Sequence, residues 1–282
     1  MTLLLSFSAM ALLGMTHLIN GLVAERYPPL RVAFYTHLGG SVVATCFALI
    51  FSIWQLEAVW WGLIAGIGSA LGAQCLYMGL ARAPFSAVVP ISAVGMVILA
   101  LCLSVALLGE SPTPIVWLGV LLAIPAIWLI AGGNQLTPIL QTKTADNGYR
   151  FGFAAGSGFA IQLHALGRIP ESAAFSGITI CMITGAVCLL PFCYHRTCLP
   201  KAYPALASIA GGISALGLTL YTFSRQGQLL IISIIIVSMY PLVPVILGSI
   251  VRRETIDAPK CVGIGLSMVA TVLIVVGDVL KD

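Results

Sequence analysis

The sequence predicts an all-α integral membrane protein with ten transmembrane helices, arranged as two inverted repeats of five helices. The first observation is composition: 60% of the 282 residues are hydrophobic, only 8% are charged, and the mean hydropathy is +1.07. Soluble domains carry roughly 25% charged residues, so they are excluded. The second observation is the length of the apolar runs, which suits helices of about 20 residues rather than the shorter alternating strands of a barrel. The third is a weak internal repeat.

Short polar breaks divide the chain into ten predicted spans. They cover residues 2–24, 31–54, 58–80, 84–108, 114–133, 151–167, 173–194, 203–224, 228–251 and 261–280. The sixth is the weakest because it is short and contains Gln162 and His164. No basic segment precedes the first run, so we expect residues 2–24 to be a retained helix rather than a signal peptide. We assign residues 1–137 to a first five-helix repeat, 138–148 to a linker and 149–282 to a second five-helix repeat.

The internal repeat appears when residues 62–133 are aligned with residues 206–277. This alignment superimposes rare residue types, namely Tyr77 on Tyr221, Glu110 on Glu254, Gly119 on Gly263 and Gly133 on Gly277. Because five crossings is an odd number, a second copy must enter the bilayer upside down. Inverted repeats of this kind are typical of secondary transporters.

The positive charges predict an orientation. The odd-numbered loops hold Arg26, Arg31, Arg82, Lys143, Arg150, Arg196, Lys201, Arg252, Arg253 and Lys260, whereas the even-numbered loops and the termini hold Arg168, Arg225 and Lys281. By the positive-inside rule the odd loops face the cytoplasm and both termini are extracytoplasmic. The net charge of +4 therefore reflects membrane orientation, and we expect no nucleic-acid partner. The eight cysteines lie mostly in apolar runs, so we expect no disulfide framework, metal site or cofactor.

Two stretches of the chain carry a family resemblance. In the second half, residues 238–244 (Ser-Met-Tyr-Pro-Leu-Val-Pro) run on to Arg253, Glu254 and Thr255, and in the first half Pro90 is followed by Gly109 and Glu110. This pattern resembles the ten-helix EamA-type branch of the drug/metabolite transporter superfamily. Leu13 precedes Gly14 where that family commonly has a Trp-Gly pair. The resemblance also implies cytoplasmic termini, which contradicts the charge distribution, and on this point we follow the charges.

Polar side chains inside the spans are the candidate binding residues. Those we assign to the substrate site are His17, Asn20, Gln74, Tyr77, Gln162, His164, Tyr221, Ser238 and Tyr240, on helices 1, 3, 6, 8 and 9. His37 lies on the second helix. Polar groups in lipid either join helices to one another or face a hydrated cavity, and both interpretations apply to each residue. Histidine titrates near neutrality, so His17 or His164 could carry a coupling proton, the alternative being a neutral imidazole bonded to a backbone carbonyl.

Prolines and glycines predict kinks and close helix contacts. Pro90, Pro241 and Pro244 lie inside spans and are candidate gating residues, because proline removes a backbone donor and bends a helix. Glycines four residues apart allow helices to approach closely. They are Gly62 with Gly66, Gly68 with Gly72, and Gly148 with Gly152 and Gly156.

These features predict a secondary transporter in the plasma or inner membrane that moves a small solute by alternating access. No Asp, Glu, Lys or Arg lies in the middle of a span, which argues against a cation exchanger with a buried carboxylate. We therefore expect a neutral, zwitterionic or amphipathic cargo such as an amino acid, with a proton or counter-substrate as a candidate coupling partner. The alternatives are a passive channel and a non-transporting assembly subunit. An intramembrane enzyme is disfavoured because the sequence has neither a G-x-S-x-G nor an H-E-x-x-H motif.

The charge distribution generates a first prediction. A reporter fused to the C-terminus should read as extracytoplasmic, because the odd loops carry ten of the 13 Lys and Arg residues. The measurement is a paired fusion to alkaline phosphatase, active outside, and to green fluorescent protein, fluorescent inside. A fluorescent, phosphatase-inactive C-terminus would overturn the orientation.

Overall fold

The computed structural model describes residues 2–24, 26–80, 85–109, 111–130, 143–193, 202–225, 230–243, 247 and 258–279, and no strand occurs among them. The α-helices with described bounds are α1 (Thr2–Ala24), α2 (Pro29–Phe51), α3 (Leu56–Leu80), α4 (Phe85–Leu108), α5 (Pro114–Ile130), α6 (Lys143–Leu166), α7 (Ala174–Leu189), α8 (Ala202–Ser224), α9 (Leu230–Ser238) and α10 (Ala258–Val279). Two short 3-10 helices, Glu171–Ala173 and Leu190–Cys193, flank α7.

The helices are those of a multi-pass membrane protein. Five segments are long and apolar enough to cross a bilayer: α1, α2, Leu56–Gly79 of α3, Glu171–Cys193 around α7, and α8. Shorter apolar stretches lie in α4 (Ile91–Leu107), α5 (Pro114–Leu129) and α10 (Cys261–Ala270). Large apolar side chains are exposed along these helices, for example Leu49, Ile50 and Phe51 of α2. Such exposure is tolerable where the surrounding medium is lipid.

Two helices differ from the predicted spans. Helix α6 begins at Lys143, inside the segment assigned to the linker, because a helix can extend past its apolar run when the extra turns carry polar residues. The predicted span 228–251 contains helix again at residues 242–243 and 247, but it is interrupted where α9 ends at Ser238. There the backbone tightens into bonds between residues three apart, such as Tyr240 N–H to Val237 O at 3.0 Å and Leu242 N–H to Met239 O at 3.0 Å. Pro241 lies in this turn and cannot donate a backbone hydrogen bond.

The most extensive helix contacts among the described elements join the first half of the chain to the second. Helix α1 packs on α8, and α3 packs on α6. Helix α2 packs on α7 and α8, while α3 also packs on α7. Helix α4 packs on α6 and α9, and α5 packs on α10. The core is therefore shared between the two halves.

Glycines make these contacts close, as the four-residue spacing predicts. A Cβ at Gly66 would lie 2.6 Å from the Cys181 carbonyl oxygen of α7. A Cβ at Gly68 would lie 2.8 Å from the Gly158 carbonyl oxygen of α6. At Gly156 a Cβ would overlap the backbone of α4. These contacts confirm that the predicted glycine pairs let helix backbones meet.

A further glycine contact joins α2 to α8. A Cβ at Gly211 would overlap the carbonyl of Thr36, and a Cβ at Gly39 would overlap the backbone of Ser208. The backbones therefore touch on both sides of residues 36 and 37. This contact holds the Thr36 and His37 side chains in fixed positions on α2.

Hydrogen bonds between connecting segments place loops from both halves at the same end of the bundle. The Ile53 N–H, after α2, donates to the Ser172 carbonyl at 2.8 Å. The Ser52 and Ser176 hydroxyls lie 3.0 Å apart. Near α5, the Thr113 hydroxyl donates to the Gly277 carbonyl of α10 at 3.0 Å. The connections after α2 and α6 therefore lie on one face.

The α2–α8 contact generates a second prediction. Replacing Gly211 with Ala should lower the free energy of unfolding by about 1–3 kcal/mol, because the added methyl group is forced against the backbone of α2. Gly265→Ala in α10 is the matched control, since nothing lies within 4 Å of a Cβ there. Alanine has the better helix propensity by about 1 kcal/mol, so the control should keep or gain stability. Thermal unfolding of both purified variants is the measurement, and equal melting temperatures would contradict the close contact.

Candidate functional site

A cavity lies between the two halves of the protein. It contains about 630 Å³ of empty space, including the open solvent at its mouth. Its walls come from α1, α2, α3 and α4 of the first half and from α6, α7, α8 and α9 of the second. The lining residues are Leu13, Thr16, His17, Asn20, Thr36, His37, Ser69, Ala73, Tyr77, Met96, Phe159, Gln162, Leu163, Met182, Ser214, Leu218, Val237 and Tyr240.

Helix α1 contributes one continuous face to the cavity. Leu13, Thr16, His17 and Asn20 have the spacing of residues three, four and seven apart, which places side chains on the same side of a helix. Because α1 packs on α8, this face of α1 lies against the second half of the chain. The Thr16 hydroxyl lies 3.1 Å from the Ala210 carbonyl of α8 and 3.0 Å from the Leu12 carbonyl of its own helix.

A chain of polar contacts joins three helices at the cavity. The Thr36 hydroxyl of α2 lies 3.1 Å from the Asn20 Oδ1 of α1 and 2.8 Å from the Val32 carbonyl of its own helix. The Asn20 amide group lies beside the Tyr77 hydroxyl of α3. All three residues are buried. Because no bulk water competes with these bonds, they hold the polar groups in fixed positions against the cavity.

A histidine–serine pair forms a second link between helices. The His37 Nδ1 lies 2.8 Å from the Ala33 carbonyl oxygen, and the Nε2 lies 2.8 Å from the Ser69 hydroxyl of α3. A carbonyl oxygen only accepts, so Nδ1 carries the hydrogen. In the neutral imidazole Nε2 is then the acceptor, and the Ser69 hydroxyl donates to it. Gly185 of α7 leaves room for the imidazole, which a Cβ there would overlap.

Aromatic rings cluster at another part of the wall. The His17 ring centroid lies 4.7 Å from that of Tyr240 and 5.6 Å from that of Phe159. The buried His17 Nδ1 has no hydrogen-bond partner among the described residues. An unpaired buried nitrogen is costly, so water or a bound solute is expected to satisfy it. The aromatic cluster therefore provides an apolar surface with one unused polar atom.

The cavity collects only some of the residues assigned from the sequence. Those that line it are His17, Asn20, Tyr77, Gln162 and Tyr240. Those outside its lining are Gln74, His164, Tyr221 and Ser238. The Tyr221 hydroxyl donates to the Leu163 carbonyl at 2.7 Å, and the Ser238 hydroxyl donates to the Ile235 carbonyl of its own helix at 2.6 Å. His164 is buried beside Arg168, and neither of its ring nitrogens has a partner among the described residues.

Several lining residues were not among the assigned set. They are the polar residues Thr16, Thr36, His37, Ser69 and Ser214, together with apolar residues such as Met96 and Met182. The two-repeat pattern predicts a site lined by helices 1, 3, 6, 8 and 9, and it gives no role to α2. His37 was visible as a polar residue inside a span. The hydroxyl residues gave no signal, because Ser and Thr commonly bond their own helix.

The three candidate gating prolines lie in different situations. Pro241 follows α9 in the tight turn described above, beside the cavity-lining Tyr240. Pro90 lies within helix α4. Pro244 is outside the described residues.

Comparison with known proteins agrees with the predicted resemblance. Residues 1–132 match the EamA-like transporter family. The predicted resemblance to the drug/metabolite transporter superfamily is thus confirmed over these residues. A protein of known crystal structure superimposes with a TM-score of 0.77, covering 100% of this chain and 98% of its own, at 16% identity. At that identity the likeness extends to the fold alone. No curated protein matches the sequence.

The position of Tyr221 generates a third prediction. Tyr221→Phe should lower the free energy of unfolding by about 1 kcal/mol, because one buried hydrogen bond is lost while the Leu163 carbonyl keeps the Gly167 N–H at 2.9 Å. Tyr203→Phe is the matched control, since Tyr203 is only half-buried and packs against the Tyr27 ring at 5.8 Å. The measurement is thermal unfolding in detergent. A Tyr221→Phe protein as stable as the control would show that this hydrogen bond does not stabilise the bundle.

Proposed function

Since residues 1–132 match the EamA-like transporter family, we propose that this protein is a secondary transporter that moves a small solute through the cavity between its halves by alternating access. The observation that carries the proposal is the cavity itself. Both halves contribute its walls, and its polar groups are held by contacts between helices. In transporters built from inverted repeats, the solute site lies near the bilayer midplane between the repeats. Rocking of one half against the other then opens the site to each side in turn.

The pattern of helix packing supports an inverted repeat. If α1 to α5 correspond to α6 to α10, exchanging the halves converts the α1–α8 contact into the α6–α3 contact. The same exchange converts the α2–α8 contact into the α7–α3 contact. The α2–α7, α4–α9 and α5–α10 contacts convert into themselves. A bundle with a pseudo-twofold axis would have these properties, and two bundles merely joined in sequence would not need them.

The chemistry of the lining favours a neutral, zwitterionic or amphipathic cargo. Among the described lining residues none is Asp, Glu, Lys or Arg, so no fixed charge selects an ion. Asn20, Gln162 and the hydroxyl groups offer donors and acceptors, while Met96, Met182 and Leu218 offer apolar contact. An amino acid would fit this combination of polar and apolar groups. The lipid bilayer is the partner expected around the helices.

The experiment is substrate counterflow in liposomes. Purified protein would be reconstituted into vesicles preloaded with one unlabelled amino acid, and uptake of the same labelled amino acid would be followed for each of the standard set. A carrier gives saturable uptake that transiently overshoots equilibrium. Flux that rises linearly with concentration indicates a passive channel, and no flux with any member of the set contradicts this cargo class. Empty liposomes provide the baseline.

The polar chain at Asn20 generates a fourth prediction. Asn20→Ala should raise the half-saturation concentration of counterflow about threefold to tenfold. The reason is the loss of one hydrogen bond between the Asn20 side chain and the cargo, which contributes about 0.5–1.5 kcal/mol. Ser157→Ala is the matched control, since the exposed Ser157 hydroxyl only donates to the Phe153 carbonyl of its own helix. The control should keep the wild-type value. Equal values for the two variants would remove Asn20 from the binding site.

A further inference from the structure

We propose that His37 is the proton-binding residue of this carrier and that Ser69 transmits its protonation state to the cargo. The inference rests on the proposed function, because it concerns the same cavity. It goes further in naming the coupling ion, the residue that binds it and the chemical group of the cargo that responds. Neither residue belongs to the site assigned from the sequence, where His17 and His164 were the candidates for proton coupling.

The geometry assigns a definite direction to each hydrogen bond of His37. The Ala33 carbonyl can only accept, so the hydrogen on Nδ1 stays there in both charge states. The only position left for a second proton is Nε2, which lies 2.8 Å from the Ser69 hydroxyl. In the neutral state the Ser69 hydroxyl must donate to this nitrogen. Its oxygen then presents only lone pairs to the cavity.

Protonation reverses the direction of the bond between His37 and Ser69. A proton from cavity water binds the Nε2 lone pair, forming an N–H bond and placing one positive charge on the imidazole. The Ser69 oxygen now accepts from Nε2, and its own hydrogen turns away. No bond within Ser69 breaks, since the hydroxyl only rotates. The serine thereby changes from an acceptor into a donor facing the cavity.

This reversal selects a cargo that carries an acceptor with negative charge. A carboxylate would accept the freed Ser69 hydrogen and would compensate the imidazolium, whose isolated charge is costly at membrane depth. Each ligand then favours binding of the other, which is reciprocal coupling of one proton to one carboxylate-bearing molecule. A zwitterionic amino acid would thus bind together with a proton and leave together with it.

No charged side chain among the described neighbours of His37 could neutralise its imidazolium, so the cargo must supply the negative charge. Helix α3 presents Ser69 and Tyr77, helix α7 presents Gly185 and Met182, and helix α8 presents Gly211 and Ser214. Across the cavity, α1 contributes His17, α6 contributes Gln162 and α9 contributes Tyr240. None of these described groups is a carboxylate, lysine or arginine.

The other two described histidines lack this arrangement. The His17 Nδ1 has no partner among the described residues, so no serine or carbonyl sets which nitrogen carries the hydrogen. His164 lies outside the cavity lining and beside the positive charge of Arg168. Only His37, among the described histidines, has one nitrogen committed to a carbonyl and the other bonded to a hydroxyl at the cavity.

The first test observes the proton directly and needs no cargo. The chain has four histidines, so nitrogen NMR of ¹⁵N-histidine-labelled protein in nanodiscs can be assigned with single His→Gln variants. Between about pH 5 and about pH 8, the signals absent from His37→Gln should change from an Nδ1–H tautomer to the doubly protonated ring. In Ser69→Ala the neutral Nε2 signal should shift because its donor is gone. A His37 that stays neutral over this range would overturn the proposal.

The second test measures coupling with zwitterionic amino acids in vesicles loaded with the pH dye pyranine. The wild type should accumulate an amino acid under an inward proton gradient and acidify the lumen. His37→Gln should lose accumulation and acidification, and any exchange that remains should no longer depend on pH. Ser157→Ala, at a hydroxyl outside the cavity lining, is the control and should keep gradient-driven accumulation.

The outcomes separate this inference from the proposed function. Gradient-driven accumulation by His37→Gln equal to that of the wild type would overturn the role of His37, even though transport itself stands. If the wild type exchanges no amino acid, the proposed cargo fails, and the NMR titration still decides whether His37 binds a proton.

Discussion

Water is absent from the hydrocarbon interior, so every polar side chain on these helices must be paired within the protein or open onto a cavity. Most hydroxyls meet this constraint locally. The Thr219 and Thr222 hydroxyls, for example, donate to carbonyls one turn back at 2.8 and 2.9 Å. Among the exceptions are the Asn20–Thr36 contact and the His37–Ser69 pair, which join different helices at the cavity wall. The Tyr221 hydroxyl also bonds another helix but lies outside the cavity lining, so bonding between helices does not by itself mark the site.

Contacts between helix backbones at glycine residues hold these polar pairs between helices in place. The Gly68 contact lies beside Gln162, and the Gly211 contact lies beside Thr36. Each joins a helix of one half to a helix of the other, so the polar residues are carried by the parts of the bundle that pack most closely. A rocking motion between the halves would have to alter these contacts.

Much of the fold follows from periodicity and composition, and the site follows only in part. Apolar runs locate the helices, and the four-residue glycine spacing indicates where they touch. Tyr77 and Tyr221 are equivalent in the internal repeat, yet Tyr77 lines the cavity and Tyr221 bonds the Leu163 carbonyl. Equivalence in sequence cannot say which copy faces the cavity, because the two halves present different faces to it. The break after α9 was predicted only as a bend at Pro241, because the run remains apolar past that residue.

Hydropathy, loop charge and glycine spacing are local properties, so the chain alone establishes a multi-pass helical protein, an expected orientation and the surfaces on which helices can approach closely. Which polar residues converge depends on the rotation of each helix about its axis, and that rotation is decided by packing against helices distant in the chain. The His37–Ser69 pair illustrates the difference. The two residues lie 32 positions apart, and they meet because glycine contacts on α2 and α3 fix the angle at which each helix presents its side chains.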